Sequence, residues 1–359
     1  MIDCPPRLEK QLVSRLLAWY DQHARVMPWR AIRPQVPNPY HVLLSETMLQ
    51  QTQVATVIDY FNRFTEAFPS IRDLADADEQ QVLKLWEGLG YYRRARNLHA
   101  CAKQIVNEHA GVVPNTVEQL LKLPGIGRYT AGAIASIAYD IPAPILDGNV
   151  VRVLSRWFAI TESTDEKQVK EQLWELAQLL VPDRRAGDFN QAMMDLGAMV
   201  CTPKSPTCLT CPMIKHCQAR EQGIEESLPK RTPKNKPTKV THHVVSIQRK
   251  DQFLFTQRPS DGLWSNMWQI PTFEAAHEKT LPDQIKEQLG LQVGKLEQCQ
   301  SFIHQTTHRT ITFTHWQAIH VTGRLRKNAG LWRRLDQLGD LPLAKPQLKI
   351  VATLQKSGH

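Results

Sequence analysis

The sequence predicts a mainly helical domain followed by a smaller α+β domain, and three observations carry that prediction. Up to about residue 225, apolar residues recur at helical spacing between short capped turns. A run of prolines and basic residues then interrupts the chain at 228–239, and beyond Val240 the pattern turns to period two, rich in Val, Ile, Thr, Phe and Trp. With 359 residues the chain is long enough for two domains at roughly 100–200 residues each.

An apolar fraction of 42% and a charged fraction of 22% exclude a disordered, collagen-like or disulfide-scaffold protein. No apolar run approaches the roughly 18 residues needed to span a bilayer, so no membrane association is expected. The opening Met1-Ile2-Asp3-Cys4-Pro5-Pro6 carries no secretion or organelle address, and a cytoplasmic protein is the expectation. A net charge of +9 suits a polyanionic partner such as nucleic acid, although a merely basic enzyme would show the same balance.

In chain order, Asn38-Pro39 supplies an N-cap followed by proline at the first helical position, opening a helix over Tyr40 to Met48. Val54, Val57, Ile58 and Phe61 mark one face of the next helix. Pro, Gly and acidic caps recur at 69–73, 114–118 and 182–188. Leu120 to Ala131 contains Gly125-Ile126-Gly127 ahead of a helix beginning near Tyr129; two glycines there can turn backbone N–H groups toward an anion at a helix N-terminus. Taken alone, Gly-x-Gly also reads as a plain helix–helix turn.

Cys201, Cys208, Cys211 and Cys217 fall within 17 residues, with spacing x6, x2 and x5. In a chain without an export signal, four such thiols favour a metal site over disulfides, either a [4Fe-4S] cluster or a tetrahedral zinc. Residues 228–239, with three prolines, five basic residues and no acid, read as an extended solvated linker that could also follow a phosphate backbone. Beyond it, strands are expected over Val240 to Ile247, Phe253 to Gln257 and Arg309 to Val321, and a helix over Pro282 to Leu289 ending at Gly290.

Two carboxylates stand out. Glu46 is bounded by apolar residues in Leu43 to Thr52, and partial burial would raise its pKa enough for general-acid work; as an exposed helix acid it would mean nothing. Asp147 precedes a helix, where it could equally be a plain N-cap.

Together, Met27 to Arg30, Ser45 to Val54, Gly88 to Leu98, the Gly125–Gly127 hairpin, Leu146 to Asn149, Ala192 to Ala198 and the cysteine loop resemble the adenine DNA glycosylases of the MutY family, in order. That family belongs to the endonuclease III, helix–hairpin–helix superfamily. The resemblance implies a helix–hairpin–helix glycosylase domain over 1–227 with a [4Fe-4S] loop at 201–217, a linker at 228–239, and a Nudix-like domain over 240–359. It implies a base-excision enzyme that acts as a monomer, flips adenine out of duplex DNA where it is mispaired with 8-oxoguanine or guanine, and leaves an abasic site. Glu46 would protonate the base and Asp147 would stabilise the sugar cation, with Tyr129 and Asn149 supporting them.

By the same resemblance Trp29 and Arg30 line the base pocket, Leu49, Gln51 and Tyr91 fill the gap beside the opposing base, and Gly125 and Gly127 hold the backbone. Tyr91 could instead be a core aromatic. A lysine at position 129 would mark a strand-cleaving lyase acting on oxidised pyrimidines, and Tyr129 argues for a monofunctional enzyme. A zinc-bearing, non-catalytic damage binder is the other alternative. Gly262 to Leu291 resembles a Nudix fold whose signature helix keeps only Glu287 of its glutamates, so no nucleotide hydrolysis is expected. Thr306-Thr307-His308 stands where the family reads the lesion; Thr307 can replace a serine donor, while Thr306 lacks the aromatic ring. An ordinary polar turn is the other reading.

Overall fold

The computed structural model describes residues 5–31, 35–233, 237–274 and 277–357. Cys4 and residues 234–236 of the predicted linker lie outside them. The chain divides into two compact units: the residues up to Asp76 with Asn97–Pro233, and Ala77–Arg96 with the residues beyond Pro233.

The helices, in order, are α1 (Pro6–His23), α2 (Pro39–Leu49), α3 (Val54–Ala67), α4 (Ile71–Asp76), α5 (Glu79–Leu85), α6 (Arg93–Glu108), α7 (Val117–Leu120), α8 (Arg128–Tyr139), α9 (Gly148–Trp157), α10 (Lys167–Leu180), α11 (Ala186–Met199) and α12 (Gln218–Glu221). Asn38 caps α2 through its side-chain oxygen, which accepts from Tyr40 N at 2.9 Å. Most of α2 is buried, and it lies in the interior of the first unit, packed on α8, while α11 packs on α1, α8 and α9. A side chain at Gly197 would put its Cβ 2.6 Å from that of Asn149, so a glycine is what lets α11 approach α9 this closely. Among the described residues no helix is long and apolar enough to cross a membrane.

Residues 228–233 of the expected linker are hydrogen-bonded within the first unit, while 230–233 are exposed. Leu228 is buried and its carbonyl accepts from Arg156 Nε at 3.2 Å. Thr164 N donates to Lys230 O at 3.0 Å and Thr232 N to Asp165 Oδ2 at 2.8 Å. Proline-rich basic composition predicts an extended backbone, but it cannot reveal acceptors and donors some 65 residues away in sequence.

In the second unit lie β1 (Thr238–Ser246), β2 (Gln248–Arg249), β3 (Gln252–Gln257), β4 (Trp268–Gln269), β5 (Thr272–Glu274), α13 (Leu281–Leu289), β6 (Leu291–Gln305), β7 (Arg309–Gly323), β8 (Leu331–Arg334) and α14 (Lys345–Ser357). One sheet runs β5-β1-β7-β6, with β1 and β7 parallel; the other runs β2-β3-β4, with β8 added to β3. Helix α13 stops at Gly290, whose φ of +76° is the left-handed C-cap. Its Leu281, Ile285 and Leu289 pack on Val245, Phe273 and Trp316, while Ile350 and Val351 of α14 close a second core on Val244, Phe255 and Phe313.

The segment Ala77–Arg96, expected within the helical domain, packs in this second unit. Lys84 Nζ donates to the carbonyls of Leu338 and Leu341 at 3.3 and 3.1 Å, Leu343 N donates to Glu87 Oε1 at 2.7 Å, and Asn266 Nδ2 donates to Glu79 Oε1 at 2.7 Å. These partners lie far along the chain, which local periodicity does not report.

Candidate active site

Glu46 projects from α2 into the interior of the first unit, where it is only 4% exposed; the reading of it as a surface acid is therefore corrected. Tyr129, in the first turn of α8, donates its hydroxyl to Glu46 Oε2 at 2.6 Å, and its oxygen lies 3.4 Å from the Met194 sulfur. Burial drives the Glu46 carboxyl up to about 7; the Tyr129 hydrogen bond and Arg30 pull it down, and the negative charge of Asp147 pushes it up. A carboxyl poised there can give a proton near neutrality and take one back.

Asp147 is both the helix cap and a candidate catalytic group. Its Oδ1 accepts from Val150 N at 2.7 Å at the start of α9, and its Oδ2 accepts from Asn149 Nδ2 at 2.9 Å. Burial raises its pKa, and the hydrogen bonds from Val150 and Asn149 oppose that rise. Asn149 is itself fixed, since its Oδ1 accepts from Arg152 Nη2 at 2.8 Å.

A cavity opens beside Glu46, walled by Met27, Trp29, Arg30, Leu49 and Met194. Trp29 is held edge-on to Phe61, ring centroids 5.3 Å apart. Arg30 is held by a residue that the sequence reading did not single out: both its terminal nitrogens donate to Asp195 of α11, at 2.7 and 2.9 Å. Arg25 reaches the same carboxylate through Nε at 2.7 Å. Gln50 Nε2 donates to Thr130 Oγ1 at 3.4 Å. No periodicity marks these residues, because what defines each is a partner elsewhere in the chain.

Gln51, just past α2, is exposed and takes a left-handed φ of +59°. In the hairpin, Gly125 has φ +77° and a side chain there would collide with Asn97, whereas Gly127 caps α8 with open space around it and no side-chain cap, leaving amides at the helix start available to an external acceptor. In the second unit Tyr91, 47% exposed, is not a core aromatic. Its hydroxyl lies 3.1 Å from Thr307 Oγ1. Thr307 and His308 are exposed at the tip of the β6–β7 hairpin, which Thr306 closes by donating its N–H to Arg309 O at 2.8 Å.

Cys201, Cys208, Cys211 and Cys217 line one cavity together with Arg156 and Glu225. Arg156 Nη1 lies 3.3 Å from Cys201 Sγ. Among the described residues, no group of three or more His, Cys, Asp or Glu side chains forms a ready set for a metal ion. Burial nonetheless pushes the Cys211 thiol up to about 12, and those of Cys208 and Cys217 up as well. Four sulfurs around one cavity fit a thiolate-bound group, whose cation would draw away the protons that burial holds on Cys208, Cys211 and Cys217.

Fold and site together define a helix–hairpin–helix glycosylase with a Nudix-like appendage. Residues 44–179 match the HhH-GPD superfamily of base excision DNA repair proteins, and residues 242–353 match the NUDIX domain. The chain superimposes on a thermostable thymine-DNA glycosylase with a TM-score of 0.55 and 31% identity, covering 61% of this chain and all of that one. An endonuclease III–DNA complex, at TM-score 0.50 and 21% identity, covers 62% and 99% and shares the fold.

Among curated proteins, the chain is 39% identical to the adenine DNA glycosylase of Rattus norvegicus over 83% of this chain and 68% of that one. It is 36% identical to the adenine DNA glycosylase of Buchnera aphidicola subsp. Schizaphis graminum over 94% and 96%. The chain belongs to the adenine DNA glycosylase family.

Proposed function

We propose that this protein removes adenine mispaired with 8-oxoguanine or guanine in double-stranded DNA by hydrolysis, leaving an abasic site, and that it works as a DNA-associated cytoplasmic monomer. The observation that carries the reading is Glu46: a carboxyl buried beside a cavity, bonded to Tyr129 and poised at about 7. With the adenine flipped out, Glu46 donates its proton to a ring nitrogen, the N-glycosidic bond breaks with its electron pair leaving on the base, and positive charge develops on the sugar. Asp147 stabilises that charge directly or through a transient adduct, and the Glu46 carboxylate then takes a proton from the attacking water. Tyr129 and Asn149 orient the two carboxyls. Since position 129 holds a phenol, no amine stands there to form a Schiff base, which supports a monofunctional reaction.

Trp29 and Arg30 receive the base, and Leu49, Gln51 and Tyr91 support the duplex beside the gap. The Gly125 and Gly127 turn takes a phosphate, and Thr307 and His308 read the lesion. Cys201, Cys208, Cys211 and Cys217 would hold a [4Fe-4S] cluster, which when bound supplies the iron–thiolate bonds that tie the loop closed.

The test is a single-turnover assay on duplex DNA with adenine opposite 8-oxoguanine, read with and without alkali. Scission only after alkali is the expected result. Scission without alkali would make the enzyme a lyase, and none in either sample would remove the adenine assignment.

A further inference from the structure

Glu46 needs its proton before the reaction, yet a guanidinium lines the same cavity. The charged and titratable groups facing it are Tyr129 from α8, Asp147 from the cap of α9 and Arg30 from the segment before α2, with Arg25 in the cavity wall. An Arg30–Glu46 ion pair would be the ordinary outcome of placing these two groups in one water-poor pocket, and it would leave Glu46 ionised. The structure has a different arrangement. Both terminal nitrogens of Arg30 are engaged by Asp195, whose side chain is wholly out of water, while Glu46 bonds to Tyr129. Arg25 binds the same Asp195 carboxylate through its backbone N–H at 3.1 Å and its Nε at 2.7 Å, and Arg30 Nη1 also reaches Arg25 O at 3.3 Å.

We propose that Asp195 is a positioning residue of this reaction: by occupying both terminal nitrogens of Arg30 and tethering Arg25 beside it, it withholds from Glu46 the guanidinium that would strip its proton. The consequence for catalysis rests on the reading of Glu46 as the acid. Asp195 itself stays ionised because, although burial opposes its charge, the hydrogen bonds and charges of Arg30 and Arg25 prevail. Its geometry is the planar two-bond match that carboxylate and guanidinium form best, which is why Asp195 competes well for Arg30.

The test uses the full chain and two readouts: the pH dependence of single-turnover adenine excision, and the titration of the Glu46 carboxyl by carbon NMR on glutamate-labelled protein, assigned with Glu46→Gln. Asp195→Asn is expected to move the high-pH arm of the profile and the Glu46 midpoint down by about one pH unit, which is about tenfold in rate on the alkaline side. Asp195→Glu should keep both near their original places, and adding Arg30→Gln to Asp195→Asn should return the midpoint upward. A purely structural role would lower the rate equally at every pH and leave the midpoint still, and that result would overturn the proposal. Arg30→Gln alone gives a second route should Asp195→Asn not fold. A rise of the Glu46 midpoint by more than about one pH unit would show that Arg30 already serves Glu46, and would likewise overturn it. If Glu46→Gln kept full activity, the acid assignment would fail by itself, while the NMR titration would still decide the role of Asp195.

Discussion

Each unit of the molecule buries a titratable side chain, and the two are buried to opposite effect. In the first, Glu46 sits at 4% exposure beside a cavity, holding one hydrogen bond, with its pKa raised to about 7 from the ordinary 4.5. In the second, His315 sits at 1% exposure inside the β5-β1-β7-β6 sheet, its Nε2 3.0 Å from Ser246 Oγ and its Nδ1 without a partner among the described residues; burial lowers its pKa from 6.5 to about 4. Both favour the neutral form, because burial penalises charge whatever its sign. The acid lines a cavity, and the histidine is enclosed by a core. Burial alone therefore does not mark a candidate catalytic group; burial beside a cavity is what singles Glu46 out as one.

The largest effect expected from this contrast is in Glu46→Gln. Removing the proposed general acid should cost about 10²–10⁴-fold in the single-turnover rate, while Gln keeps an oxygen for Tyr129. Because the folded-state pKa of Glu46 is raised, its stability contribution is complete below about pH 4.5 and is lost as pH rises through about 7; at pH 8 the charged form costs on the order of 3 kcal/mol. Glu46→Gln should therefore melt at a higher temperature than the parent at pH 8 and close to it at pH 4.5. An inactive variant no more stable at pH 8 would break the comparison.

Next comes the second unit, where the sign reverses. His315 has a lowered folded-state pKa, so its contribution is present above about pH 6.5 and lost as pH falls through about 4, again on the order of 3 kcal/mol. Calorimetry of the whole chain between pH 7 and pH 4 should show the transition of this unit moving down, and His315→Asn should flatten that dependence. The smallest effects come from glycines. Gly290→Ala places a left-handed residue with its Cβ 2.8 Å from Arg324 O and should cost about 1–2 kcal/mol, whereas Gly127→Ala, at φ −97° with open space, should stay within about 1 kcal/mol and show itself in weaker DNA binding.

Much of the first unit is legible because its signals are local: the Asn38-Pro39 cap, the spaced cysteines, the hairpin glycines, and an acid embedded among apolar residues. Asp195 was not singled out, although it stands in the quoted stretch Ala192 to Ala198, because an acid within a helix acquires meaning only from Arg25 and Arg30 some 165 residues earlier. Strand β6 was missed because, at the edge of its sheet, most of its fifteen residues face water and carry little apolar alternation. The placement of Ala77–Arg96 in the second unit depends on carbonyls and amides at 338–343, beyond the reach of any window.

That last feature bears on how the chain is made. Residues 77–96 leave the ribosome well before their partners, since all of Asn97–Pro233 is synthesised in between and the acceptors at Leu338 and Leu341 come later still. At 5–20 residues per second the delay is on the order of ten seconds, long compared with local helix formation. During that interval α5 and its flanks are a nascent segment without their final neighbours. A chaperone holding them, or a pause in translation near residue 233, would act on the second unit through a piece of sequence embedded in the first.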